Sequence, residues 1–276
     1  MDPVAFSLVV ASAVLHASWN LVVKASEDRL VAAAAQVTFG AVAFFPVLVV
    51  SGVPTEAWVS IAASAIVHLV YGLTLVGAYE RADLSLVYPV ARGTAPVLVT
   101  VGAALLLSDT PGGAGTVAIV LIVAGVLVTG LDGRSRRGLA WALATAVLIA
   151  TYTVIDGHAV RSLDGSFSYT ISVFVGSAIA FALVLAWRRR PREIAAAVRS
   201  EWVRHLGAGA ASVGAYVLVL IAARRAPLGL VAAVRETSVV MGAIGGWVLL
   251  REPFRTRRLG GILVIAAGLT ILALTR

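Results

Sequence analysis

Ten apolar stretches, each long enough to cross a bilayer as a helix, constrain this chain more than any other feature. A helix needs about 20 apolar residues to cover a hydrocarbon core of about 30 Å. Such stretches fall at 4–23, 30–50, 57–79, 84–107, 114–131, 138–157, 167–187, 203–223, 228–250 and 259–275. Polar turns separate them, among them Ser51-Gly52-Val53-Pro54, Asp109-Thr110-Pro111-Gly112-Gly113, Asp132-Gly133-Arg134 and Arg251-Glu252-Pro253. The segment 188–204 is the longest connection, and its Ile194, Ala197 and Val198 have the spacing of a short surface helix. Five of the six tryptophans, Trp58, Trp141, Trp187, Trp202 and Trp247, fall near span ends, where an amphipathic indole is best accommodated. The reading is an all-α integral membrane protein with ten transmembrane helices.

Composition closes the other classes. Hydrophobic residues make up 60% of the chain and charged residues 13%, more apolar surface than a soluble domain can bury. There is no cysteine, so disulfides, thiolate metal sites and thiol nucleophiles are closed. The formal charge of +8 does not indicate nucleic acid, because the arginines lie between apolar runs and not on one polar face. The start, Met1-Asp2-Pro3, has no basic region, and the first run carries His16, Trp19 and Asn20; it reads as a span and not as a cleaved signal. No cofactor motif is present.

The second half repeats part of the first. Residues 80–87 align with 224–231, and past a one-residue slip Arg92 matches Arg235, Asp109 matches Glu252 and Gly125 matches Gly268. Helices three to five thus correspond to helices eight to ten, which divides the chain into repeats at 1–132 and 133–276. Five helices per repeat is an odd number, so the second copy enters the membrane from the opposite side and the repeats are inverted. Lysine and arginine agree with the alternation: sixteen lie in the connections after helices one, three, five, seven and nine, and four on the other face, Arg161, Arg224, Arg225 and Arg276. The positive-inside rule then places both termini outside, in a plasma (inner) membrane.

Arg92 and Arg235 are the cations left inside spans, roughly 12 Å and roughly 10 Å from their helix starts. An intramembrane arginine costs about 2.5 to 3.5 kcal/mol or more unless paired or hydrated. Either Arg92, Arg235 and Glu236 close an ion-pair network that locks the bundle, or they line a water-filled cavity and hold an anion, the guanidinium fork being suited to carboxylate or phosphate. Arg235 and Glu236 are adjacent, hence about 100° apart on a helix, so Glu236 is expected to meet another helix. Pro89 and Pro96 remove backbone donors in helix four, and Pro96 frees the carbonyl of Arg92.

The remaining intramembrane polarity is also confined to certain helices. His16, Trp19, Asn20 and Lys24 form one stripe on helix one. Helix three carries His68, Tyr71 and Tyr79, helix six Tyr152 and helix eight Tyr216. Helices two, five, seven and ten are nearly purely apolar, with Gly125, Gly130, Gly260, Gly261 and Gly268 available for close packing.

Two segments carry a family resemblance: Leu15-His16-Ala17-Ser18-Trp19-Asn20 with Lys24, and Ala226-Pro227-Leu228-Gly229-Leu230-Val231-Ala232-Ala233-Val234-Arg235-Glu236-Thr237-Ser238-Val239-Val240. In these the chain resembles the ten-helix EamA-type members of the drug/metabolite transporter superfamily, with Arg251 where glycine is usual before Glu252. The resemblance implies two inverted five-helix repeats around a central cavity lined by helices one, three, four, six, eight and nine. Many such members have cytoplasmic termini, against the charge count here.

The expected function is alternating-access secondary transport, in the export direction, of a small anionic or zwitterionic metabolite such as an amino acid. The expected binding residues are His16, Trp19, Asn20, His68, Tyr71, Arg92, Tyr152, Tyr216, Arg235 and Glu236. Glu236, His16 and His68 are candidate carriers of a coupling proton. Two rivals are an intramembrane enzyme, for which the sequence offers no H-E-x-x-H or G-x-S-x-G motif, and a lipid flippase or non-transporting membrane sensor. Near a span end, Asp156 is the other acid at membrane depth.

Overall fold

Helix ends fall where the sequence supplies caps. Asp2 accepts from the Val4 amide at 3.1 Å, with Pro3 at the first helical position, and Asp28 accepts from the Leu30 and Val31 amides at 3.1 and 3.0 Å. Gly52, at φ 76°, closes the second helix in a conformation that glycine alone adopts without strain. The computed structural model describes residues 1–81, 84–130, 136–188, 191–241 and 256–274. Among these residues there is no strand, and besides a helical stretch at 237–241 the α-helices are α1 Pro3–Lys24, α2 Arg29–Ser51, α3 Trp58–Arg81, α4 Leu84–Leu107, α5 Gly112–Gly130, α6 Arg136–Arg161, α7 Phe167–Trp187, α8 Pro191–Ala223, α9 Leu228–Arg235 and α10 Thr256–Leu274. The turns expected at 132–134 and 251–253, Trp247, and the side chains of Lys24, Tyr79 and Pro89 lie outside the described residues.

Polarity is distributed inside out. Val42, Val50, Leu105, Leu106 and Leu183 face outward, while Ser12, Gln36, Ser64, Arg92, Thr145, Asp156, Arg235 and Glu236 are buried. Only a hydrocarbon solvent makes that arrangement favourable. Seven described helices are long and apolar enough to cross a membrane, and α5 and α10 contain the shorter apolar stretches Gly112–Val128 and Leu259–Ile271. Trp58 and Trp187 are exposed at helix ends and Trp202 just past the Glu201 kink of α8, as an interfacial belt requires; Trp141 instead packs against Gly77.

Three elements differ from the sequence reading. The segment at 191–200 is helical, as the spacing of Ile194, Ala197 and Val198 predicts, and runs into α8 across a non-helical residue, Glu201 (φ −128°, ψ 27°). The span expected over 228–250 is interrupted: α9 stops at Arg235, Glu236 takes a turn conformation, and helix resumes at 237–241. By contrast α4, with its two prolines, remains continuous from Leu84 to Leu107. Finally, α6 continues to Arg161, about one turn beyond the expected end at 157.

Helix pairing follows an exchange of the first five helices for the last five. The α1–α8 contact has its counterpart in α6–α3, and α2–α8 in α7–α3, while α2–α7, α4–α9 and α5–α10 pair each element with its own counterpart. Small residues set the closest approaches. On α5, a Cβ at Gly125 would lie 2.7 Å from the Gly261 carbonyl of α10, and one at Gly268 3.0 Å from the Ala118 carbonyl. Among the described residues a Cβ at Gly260 would meet nothing within 4 Å, so it takes no part in the α5–α10 contact. The α2–α8 contact is as tight: a Cβ at Gly209 would sit 2.7 Å from the Gln36 carbonyl and one at Gly40 2.9 Å from the Gly209 carbonyl. Backbone cannot yield cheaply, so Gly209→Val should cost about 1 to 3 kcal/mol by overpacking. Gly207, whose Cβ would meet nothing within 4 Å, provides the control. Thermal unfolding in detergent should show Gly209→Val melting well below Gly207→Val, and equal melting temperatures would contradict the assigned contact.

One end of the bundle is tied by hydrogen bonds. Arg161 donates to Asp109 at 2.9 Å, to the Ala223 carbonyl at 2.8 Å and to the Ala226 carbonyl at 3.1 Å, and Asp109 also accepts from the Leu228 amide at 2.9 Å. Arg225 approaches Asp2 at 3.8 Å. The start of α1 and the connections after α4, α6 and α8 therefore share one end, as alternate crossings require.

Candidate functional site

Polar side chains of α1, α3, α4, α6, α8 and the α9 break meet in the middle of the bundle. The break itself is local chemistry: the Thr237 hydroxyl donates to the Val234 carbonyl at 2.9 Å, a competition typical of threonine in helices, and the Glu236 amide closes a short turn on Ala233. Glu236 is thereby turned toward α4. Its carboxylate lies 2.9 Å from Arg92 Nε, with both side chains buried, and Arg92 Nη2 donates to Ser238 at 3.1 Å. The expectation that Glu236 meets another helix is met in α4.

The two arginines are not equivalent. Arg92 is neutralised by Glu236, whereas Arg235 has no carboxylate partner among the described residues. The residue is 7% exposed; its guanidinium lies 5.7 Å over the Tyr216 ring and places Nη2 3.4 Å from His16 Nδ1. Arginine only donates, so Nδ1 is the unprotonated nitrogen of a neutral His16. Arg235 Nε has no hydrogen-bond partner. His16 also meets Trp19 edge-on, ring centroids 4.9 Å apart, and the buried Trp19 Nε1 is likewise unpartnered. Buried donors without acceptors are costly, and two of them here belong to groups in contact with the same histidine. The closed three-residue network considered from sequence is thus only partly formed: Arg92 and Glu236 pair, and Arg235 is left outside.

A second polar group lies across Tyr216. The Asp156 carboxylate is fully buried and accepts from Tyr169 at 2.6 Å, from Ser64 at 2.9 Å, and from Tyr216 through a short hydrogen bond. Ser64 Oγ is also 3.1 Å from His68 Nδ1, which is 2.9 Å from the Ser64 carbonyl. A carbonyl can only accept, so Nδ1 carries the proton and His68 is the opposite tautomer to His16. The His68 ring stacks on Tyr152 at 4.1 Å and meets Tyr216 edge-on at 5.5 Å; Tyr71 packs on Tyr152 at 5.7 Å. Asn20 bonds back to the His16 carbonyl at 2.8 Å, which uses one of its two amide hydrogens within its own helix.

The EamA-like transporter family profile matches residues 136–274. The chain belongs to this family. A solved structure described only as a crystal structure of a protein is similar over 98% of this chain and 96% of its own length, with a TM-score of 0.77 and 17% identity; it shows the fold alone. No curated protein matches. As an EamA-like protein this is a multi-pass membrane transporter of the drug/metabolite transporter superfamily.

Sequence reasoning named every aromatic and charged residue of the Arg235 side of the site. It missed Ser64, Tyr169 and Ser238, and gave Asp156 no role. Tyr169 lies on α7, expected to be nearly apolar. Ser64, His68 and Asp156 resemble a hydrolase triad in composition but not in order: the serine stands between the other two and gives its proton to the carboxylate, and His68 Nδ1 is held by a backbone carbonyl. That arrangement orients a carboxylate and does not activate a hydroxyl nucleophile.

Proposed function

We propose that this EamA-like protein moves a small anionic or zwitterionic metabolite, an amino acid or related acid, by alternating access, with Arg235 holding the anionic group. The observation that carries this reading is the buried Arg235 side chain with an unpartnered Nε and no carboxylate beside it among the described residues, while Arg92 of α4 is neutralised by Glu236. A bare cation at membrane depth is costly, and an anionic substrate removes that cost. His16 and Tyr216 contact the guanidinium, and Trp19 packs on His16; His68, Tyr71 and Tyr152 form the adjoining aromatic wall.

Alternating access requires two related halves, and the exchange-related helix pairs support inverted repeats at 1–132 and 133–276. Arginine bias assigns the end holding Asp2, Asp109 and Arg161 to the outside of a plasma membrane. In that orientation the Arg161–Asp109 contacts close the outer end.

The test is thermal stabilisation of purified protein by a panel of amino acids, organic acids, phosphorylated compounds and cations, with wild type and Arg235→Ala compared. Stabilisation by an anion or zwitterion that disappears in Arg235→Ala is the expected result. Stabilisation by cations or lipids alone would overturn it and make Glu236 the binding group.

A further inference from the structure

Asp156 has no part in the anion site as described, yet it is the carboxylate with the most elaborate surroundings in the bundle. Three hydroxyls from three helices, Ser64 of α3, Tyr169 of α7 and Tyr216 of α8, converge on its two oxygens. No cation contacts it among the described residues. Around it, α6 itself supplies Tyr152 and, one turn further on, Arg161, which is bound to Asp109; α3 adds His68 behind Ser64. Contacts with α4 and α9 are apolar there, through Val154 against Gly102 and Gly157 against Leu228. Tyr216, which donates to Asp156, also carries the Arg235 guanidinium 5.7 Å from its ring centroid.

We infer that Asp156 is a proton-binding site linked by charge to the anion site at Arg235, so that an anion and a proton are taken up together. This rests on the reading of Arg235 given above. Formal charge on the buried cluster is carried by Arg92, Glu236, Arg235 and Asp156, with His16 neutral from its acceptor role. Empty and with Asp156 ionised, the cluster sums to zero. An anion at Arg235 leaves one excess negative charge at membrane depth, where an unbalanced charge is expensive; a proton on Asp156 restores neutrality. A zwitterion brings its own balance and calls for no proton.

The hydrogen bonds accommodate both states. Ionised, the carboxylate accepts three O–H donors. Protonated on Oδ2, it becomes a donor itself and needs one hydroxyl to turn. Ser64 can do so, because a helical serine hydroxyl has the carbonyl four residues earlier, that of Ser60, as an alternative acceptor, and its oxygen then receives the Asp156 proton. Tyr216 touches both charged groups, which makes it the physical link between them.

The test reads the neutral-carboxyl stretch of the protein in lipid vesicles by infrared difference spectroscopy as pH is lowered from alkaline to mildly acidic. Wild type should develop a signal that shifts with carboxyl-labelled aspartate, and so belongs to an aspartate and not to Glu236; Asp156→Asn should lack it. Arg235→Gln mimics an anion-occupied site and should hold the proton to higher pH, whereas Arg235→Lys should titrate like wild type. L-glutamate added to lightly buffered wild-type protein should withdraw about one proton per molecule bound, and none in Asp156→Asn. A wild type without an aspartate signal, or an Arg235→Gln variant titrating like wild type, overturns the inference. Failure of every anion to bind would count instead against Arg235 as the substrate site, and the titration alone would still decide the role of Asp156.

Discussion

Arg235→Gln is expected to abolish transport in proteoliposomes while leaving the protein folded and at least as heat-resistant as wild type. The two halves of this expectation have one cause. Arg235 touches no carboxylate among the described residues, so removing its charge breaks no ion pair; a glutamine amide can still donate to His16 Nδ1, and a proton on Asp156 restores neutrality. An anionic substrate would lose two charge-assisted hydrogen bonds at about 1.5 kcal/mol or more each, or about a hundredfold in affinity. Lysine at this position keeps the charge but not the planar fork, and should retain a weakened activity. The measurement is uptake of whichever compound stabilises the wild type, alongside thermal unfolding of each variant. Full transport by Arg235→Gln, or its failure to fold, would each contradict the assigned role.

Much of this architecture was legible because hydrocarbon solvent leaves so few choices. Apolar runs had to be helices, and polar residues on α1, α3, α4, α6, α8 and α9 had to face inward. What the sequence could not convey is which inward-facing groups choose each other. A hydropathy window averages over 228–250 and passes smoothly across Glu236, whereas the break there follows from a threonine hydroxyl taking the Val234 carbonyl and from Arg92 drawing the carboxylate toward α4. Asp156 was undervalued for a related reason. With α6 ended at 157 it looked like an interfacial acid; the helix continues to Arg161, and the carboxylate lies a full turn deeper, under three hydroxyls. Tyr169 was invisible as a partner because its helix is otherwise apolar and its role depends on where α6 comes to rest. The two arginines align in sequence, yet their environments diverge: Arg92 meets a carboxylate and Arg235 a histidine.

Glu236→Gln is the reverse experiment, with an opposite expected outcome. The neutral amide leaves the Arg92 guanidinium buried without its counter-charge, and breaking one side of a buried pair costs about 3 to 5 kcal/mol. Arg92→Gln should be similarly damaging, since it leaves the Glu236 carboxylate unbalanced in the same place. Replacing both, as Arg92→Met with Glu236→Leu, removes the charges together and should recover most of the loss, because apolar substitutes for a whole buried pair are often neutral or stabilising. A double-mutant cycle on thermal or chemical unfolding measures the coupling directly; if the single losses simply add, Arg92 and Glu236 do not stabilise each other as a pair. The double variant also separates the two arginines by function. If Arg92 and Glu236 only hold the α9 break against α4 and Arg235 alone carries the anion, the refolded double variant should still be stabilised by the same anions as wild type. If it folds but no longer responds to them, then Arg92 belongs to the binding site and the ion pair is part of how the substrate is recognised.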